Sequence, residues 1–172
     1  RWELNTRIVD KTEQFVLSDG KWNFDPSTVV TLKAEKGNVE AAAFYQAITD
    51  WVKENHPEYV TSYGNNDYYY GGSYNNNFDF RPSAWKAQNA SAYGSMSDAD
   101  LTKLMFERLP EAFLPGLKAI YGSADVVEGV DVFYTINFAI YDGSSTTQYT
   151  IKYKVTGKGQ FEYVADSLKK VE

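Results

Sequence analysis

From Val130 to Ile140, and again from Tyr149 to Val155, apolar residues recur at every second position. Val130, Val132, Tyr134, Ile136, Phe138 and Ile140 fall on one side, and Tyr149, Ile151, Tyr153 and Val155 repeat the pattern. A period of two is the signature of strands with one buried face. Asp142-Gly143-Ser144-Ser145 and Gly157-Lys158-Gly159 interrupt the pattern, and Phe161-Glu162-Tyr163-Val164 supplies a third strand. Connections this short join antiparallel strands, because parallel ones need a crossover of a dozen or more residues. A three-stranded antiparallel meander is therefore expected at the C-terminus, and the rest of the fold must cover its apolar face.

Two helical patterns are available to do so. Ala41, Phe44, Tyr45, Ile48, Trp51 and Val52 recur at helical spacing behind Asn38, a plausible N-cap, and Pro57 ends them. Ser97, with Asp100 three residues on, starts a second stripe of Leu101, Leu104, Met105 and Leu109. Pro110 is expected to open a further short helix carrying Phe113, Leu114, Leu117, Ile120 and Tyr121, bent at Pro115 and capped by Gly122. Toward the N-terminus, Phe15-Val16-Leu17, Lys21-Trp22-Asn23-Phe24 and Thr28-Val29-Val30-Thr31-Leu32-Lys33 predict strands, with a tight turn at Ser18-Asp19-Gly20. The order predicts an α+β fold, an antiparallel sheet with two or three helices packed on one face. With 172 residues and no internal repeat, residues 1–172 are expected to form a single domain.

Residues 61–96 follow neither period. From Tyr63 to Pro82 the chain is almost entirely Tyr, Asn, Gly and Asp. A connection this long is uncommon in a compact domain unless it has a role of its own. Tyr offers a stiff ring with a hydroxyl, and Asn both donates and accepts hydrogen bonds, a mixture favoured at recognition surfaces. Tyr68, Tyr69, Tyr70 and Tyr74 are the candidate stacking residues, and Asp79, Arg81 and Trp85 the candidates to bound the site. The competing expectation is a connection whose tyrosines cover a sheet face while Asp79 and Arg81 pair locally. Phe78 and Phe80 alternate with Asp79 and Arg81, which predicts a short strand there.

Two stretches together, Tyr74-Asn75-Asn76-Asn77-Phe78-Asp79-Phe80-Arg81-Pro82-Ser83-Ala84-Trp85 and the run from Leu114-Pro115-Gly116-Leu117 to Tyr149-Thr150-Ile151-Lys152-Tyr153, resemble small secreted or lipoprotein-type domains of gut Bacteroidetes whose function is not established. The resemblance implies an extracytoplasmic location, periplasm or cell surface, with a lipid anchor on a Cys upstream of this chain. It implies no reaction. Asp166-Ser167-Leu168 also fits the short O-glycosylation pattern of that group, and a surface tail before a final short helix accounts for it equally. The chain starts Arg1-Trp2-Glu3, so a processed or trimmed N-terminus is expected.

The residue inventory excludes several chemistries. There is no cysteine, hence no disulfide framework, thiolate metal site or Cys nucleophile. His56 is the single histidine, placed at a helix C-terminus where a positive charge is favoured, and it has no second His for a zinc site. No G-x-S-x-G, phosphate loop or H-E-x-x-H occurs. Asp67 with Asp79, or Asp98 with Asp100, are the carboxylate pairs to weigh for hydrolysis. Asn65, Asp67, Asn77 and Asp79 are oxygen donors of the kind calcium takes, without EF-hand spacing. No catalytic residue, metal or cofactor is assigned. The formal net charge is -6 and Lys and Arg are not clustered, which argues against a nucleic-acid partner. No apolar run approaches the ~18 residues of a membrane-spanning helix. The expectation is a non-enzymatic extracytoplasmic binding or interaction module for a small molecule, glycan or protein. The alternatives are a carboxylate-based hydrolase or pocket protein of nuclear-transport-factor-like or cystatin-like fold, and a structural subunit of a cell-surface complex.

Overall fold

The computed structural model describes residues 15–18, 21–24, 27–59 and 76–172, with backbone alone in the first two stretches. The fold is α+β, as the pattern of elements predicts. Strands β1 (Phe15–Ser18) and β2 (Lys21–Phe24) form an antiparallel pair closed by Ser18 opposite Lys21. A six-stranded mixed sheet holds β3 (Ser27–Thr31), β4 (Phe78–Asp79), β5 (Phe133–Tyr141), β6 (Thr146–Gly157), β7 (Gln160–Tyr163) and β8 (Lys169–Lys170). Helices α1 (Val39–Asn55), α2 (Pro82–Gln88), α3 (Ala90–Tyr93) and α4 (Asp98–Tyr121) complete the described elements, with a 3-10 turn at Pro57–Tyr59.

The meander is present: β5, β6 and β7 pair antiparallel in sequence order. The alternation overruns the strand at its start, however. Val130 bridges Val127 in a local turn and is 42% exposed, and the regular strand begins at Phe133. At the β6–β7 turn Gly159 has φ +65 and donates its N–H to the carbonyl of Ala124. A Cβ there would lie 2.7 Å from the carbonyl oxygen of Gly122, so only glycine fits.

Both pieces that join the other flank of β5 run parallel to it. β3 covers Phe133 to Asn137, and β4 covers Ile140 and Tyr141. The backbone N–H of Leu32 extends the first ladder to Asn137, and that of Phe80 extends the second to Tyr141. The sheet is thus mixed, with the antiparallel meander as its C-terminal part. β8 pairs antiparallel with β6, where a final short helix is one of the sequence-based expectations.

The two long helices, α1 and α4, start where the sequence places a cap. Asn38 Oδ1 accepts from the N–H of Ala41 at 2.9 Å, and Ser97 Oγ accepts from that of Asp100 at 3.1 Å. α4 differs from expectation in running unbroken through Pro110 and Pro115. Each proline removes one helical donor. Burial of Leu109, Ala112, Phe113, Gly116 and Leu117 along one stripe offsets that loss. The hydroxyl of Tyr153 on β6 donates to the carbonyl of Pro110, tying helix to sheet. Burial pushes that phenol up, so it stays a donor at any physiological pH.

The core lies between α1, α4 and one face of β5 and β6. Phe78 is its hub, fully buried, with the rings of Tyr45, Phe113 and Phe138 edge-on at 4.9, 5.5 and 5.4 Å. Where α1 meets α4, Gly116 faces the Phe44 ring. A Cβ at Gly116 would come within 2.6 Å of Cε1, and Phe44 is itself 1% exposed and cannot swing away. Gly116→Ala is therefore expected to destabilise. Overpacking costs about 1–3 kcal/mol against about 1 kcal/mol of helix propensity gained, a net loss near 1 kcal/mol in denaturant titration.

Candidate functional site

The elements around β4 enclose a cleft of about 380 Å³. Phe80 and Ile140, 2% and 3% exposed, form its base. Phe106 from α4 and Tyr149 from β6 are half-buried beside them, with ring centroids 5.5 Å apart. Phe80 and Phe106 meet edge to face at 5.2 Å, so three rings follow one another through the site. Pro82 and Thr102 close the helical side, and Asp142, Ser144 and Thr147 supply polar groups from the β5–β6 turn.

That turn is built around the Asp142 carboxylate. Its Oδ1 accepts from the N–H of Ser144 at 2.9 Å, the N–H of Ser145 at 2.9 Å and the hydroxyl of Ser144 at 3.0 Å. These donors, the Ser145 and Ser144 amides first, hold the carboxyl below its usual range. Asp142 is thus an acceptor and an anion, not a proton donor, at neutral pH. Burial, and secondarily the charge of Asp142, push the Tyr149 phenol above its usual value. Gly143 has φ +102, and its ideal Cβ position lies 3.3 Å from Cγ of Arg81, so the turn packs on the arginine stem.

Of the residues singled out from sequence, Asp79, Arg81 and Trp85 come together at the shoulder of this cleft. Arg81 donates from Nε to Asp79 Oδ1 at 2.8 Å and from its second terminal nitrogen to Oδ2, a two-pronged pair. Asp79 is 11% exposed and Arg81 40%. The guanidinium also sits 5.7 Å from the Tyr141 ring centroid. Trp85 is 2% exposed, and its indole N–H donates to the Asp79 carbonyl at 3.1 Å, so it supports the pair from the core side. Tyr68, Tyr69, Tyr70 and Tyr74 lie outside the described residues. The chain returns at Asn76, whose amide donates to the carbonyls of Glu35 and Asn38 at 3.0 and 3.1 Å.

Sequence reasoning passes over Phe106, Asp142 and Tyr149 as site residues. Signals in the sequence point to Phe106 and Asp142. Phe106 is a large aromatic lying off the buried stripe of its helix. Asp142 precedes Gly143-Ser144-Ser145, a combination in which an Asp side chain commonly bonds the backbone two residues on.

The other groups considered for chemistry have structural partners. His56 stacks on Tyr59 at 4.5 Å with planes 6° apart, and Arg108 Cζ lies 3.9 Å from the centre of the same tyrosine. His56 Nδ1 is 3.1 Å from Glu58 Oε1. The backbone amide of Glu58 itself, and then His56, hold that exposed carboxyl below its usual range. Asp98 and Asp100 sit in the exposed first turn of α4, with Asp98 bridged to Lys86 at 2.7 Å. Asn77 is buried and its amide donates to the Phe78 carbonyl; Asn65 and Asp67 lie outside the described residues. Ser167 Oγ accepts from the N–H of Lys152 and donates to its carbonyl. Among the described residues no helix is long and apolar enough to cross a membrane. Comparison with known protein families, with curated proteins and with solved structures found no match.

Proposed function

We propose that this chain is a non-enzymatic binding module of the extracytoplasmic space, holding a small ligand in the cleft between α4 and the β5–β6 turn. The carrying observation is the convergence there of half-buried rings, three hydroxyl side chains and one hydrogen-bonded carboxylate in about 380 Å³. Concave sites with an apolar base and a few placed polar groups are where proteins bind small molecules. Phe106 and Tyr149 supply ring surface in this reading, and Asp142 and Ser144 supply polar contacts. The compartment rests on the resemblance of the segments beginning at Tyr74 and Leu114 to secreted and lipoprotein-type domains.

The test is a ligand-observed NMR screen of sugars, amines and aromatic fragments. At least one class is expected to bind the wild-type chain and to be lost in Tyr149→Ala. Thr102→Met, which places a longer side chain on the helical side of the cleft without removing a core group, should abolish the same binding. A ligand whose affinity neither substitution changes, or turnover of any compound in the screen, would overturn the reading.

A further inference from the structure

Charge and ring arrangement in the cleft narrow the ligand class, given the binding-module reading above. We propose that the cleft takes a small organic cation bearing a quaternary, fully methylated ammonium group. Phe80, Phe106 and Tyr149 stand in series at 5.2 and 5.5 Å, and the electron-rich faces of aromatic rings attract cations that carry little hydration. Among the described residues, the single carboxylate lining the cleft is that of Asp142, which the turn holds through Oδ1. Among the described lining residues Asp142 is the only charged one, and the neighbouring Arg81 is paired with the carboxylate of Asp79. An anionic ligand is therefore disfavoured at this position, and a cationic one favoured.

Methylation matters for a physical reason. A bare ammonium carries three strong donors that all need acceptors once water is removed. Beside the Asp142 carboxylate and a few hydroxyls, the cleft is lined by Phe80, Pro82, Phe106, Ile140 and the Tyr149 ring, so a cation seated among these finds little to accept its N–H groups. A quaternary ammonium has no N–H donors to satisfy and presents an apolar surface that matches Phe80, Ile140 and Pro82. The hydroxyls of Thr102, Ser144 and Thr147 suit a neutral polar tail on the same molecule.

The probes are choline, its neutral isostere 3,3-dimethylbutan-1-ol, and glucose, titrated by calorimetry or NMR into the full chain. Choline should bind at least about tenfold more tightly than the neutral isostere, the scale of one cation–aromatic contact with a carboxylate nearby. Asp142→Asn should weaken choline about tenfold and leave the isostere unchanged, since Asn sustains the same turn and removes only the charge. Rescue by Asp142→Glu is not expected, because the longer chain cannot cap the turn. Equal affinity for choline and isostere, or choline affinity unaffected by Asp142→Asn, overturns the proposal. Glucose binding lost in Thr102→Met would overturn the cation while leaving the binding module standing. Failure of every probe together with an empty fragment screen would sink both.

Discussion

Phe78→Ala is expected to be the most damaging single substitution in this chain, with a loss of about 3–5 kcal/mol. Phe78 has no exposed surface, and four rings surround it: Tyr45, Phe80, Phe113 and Phe138. Three of these contacts are edge to face, the geometry that adds to plain area burial. They come from α1, α4 and β5, so one cavity would loosen three elements at once. β4 itself has only Phe78 and Asp79 in register with β5, so the burial of Phe78 carries much of its attachment. At roughly 2–4 °C per kcal/mol for a chain of this size, the thermal midpoint should fall by about 6–20 °C. Circular dichroism melts and urea titration would measure it. The same truncation at Phe106, which is half-buried, should cost distinctly less. A Phe78→Ala variant within ~1 kcal/mol of wild type would mean that this hub does not organise the core.

The second large effect is expected at Arg81, and it is asymmetric with respect to its partner. Arg81→Met keeps the apolar stem that packs on Gly143 but strands the Asp79 carboxylate, of which 11% is exposed. Breaking a buried ion pair from one side costs about 3–5 kcal/mol, because the remaining charge has neither water nor partner. Arg81 is 40% exposed, so part of its attraction to Asp79 is already screened. A loss of roughly 2–3 kcal/mol is the scale that remains. Asp79→Asn should cost less, about 1 kcal/mol, since the amide oxygen still accepts and the stranded guanidinium reaches solvent. Urea midpoints of the two variants at neutral pH decide the matter. Equal losses would mean that the bridge acts through shape and not through a buried charge.

These two positions also show what was legible in the sequence. The alternation at Phe78 and Phe80 predicts a strand with its apolar side inward, and that is what forms. The expectation that Asp79 and Arg81 pair locally holds as well. The strict period from Tyr134 to Ile140 and from Tyr149 to Val155 predicts the meander, and Asn38 and Ser97 cap the helices as their positions suggest. Local rules apply to all of these. What eluded them depends on distance. The parallel pairing of β3 with β5 joins Val30 to Ile136, more than a hundred residues on, and nothing in either segment encodes that register. The prolines of α4 obey a local rule that burial overrides. The cleft draws on three separate stretches of chain, so no motif announces it. Trp85 carries a polar group and a large ring, which suits a binding surface and a core equally; only the position of the Asp79 carbonyl decides between them.

The two long strands of the sheet, nine and twelve residues, are flanked only by short ones. β3 and β4 divide one flank of β5, and β7 and β8 divide the far flank of β6. Between β7 and β8 the Ser167 hydroxyl satisfies both backbone groups of Lys152. A fibril or a misdirected neighbour needs an uninterrupted row of donors and acceptors to copy, and here each such row along the long strands is already answered in pieces. The open edges of the sheet therefore fall on short strands such as β3 and β7, which offer a neighbouring copy a shorter template than β5 or β6 would.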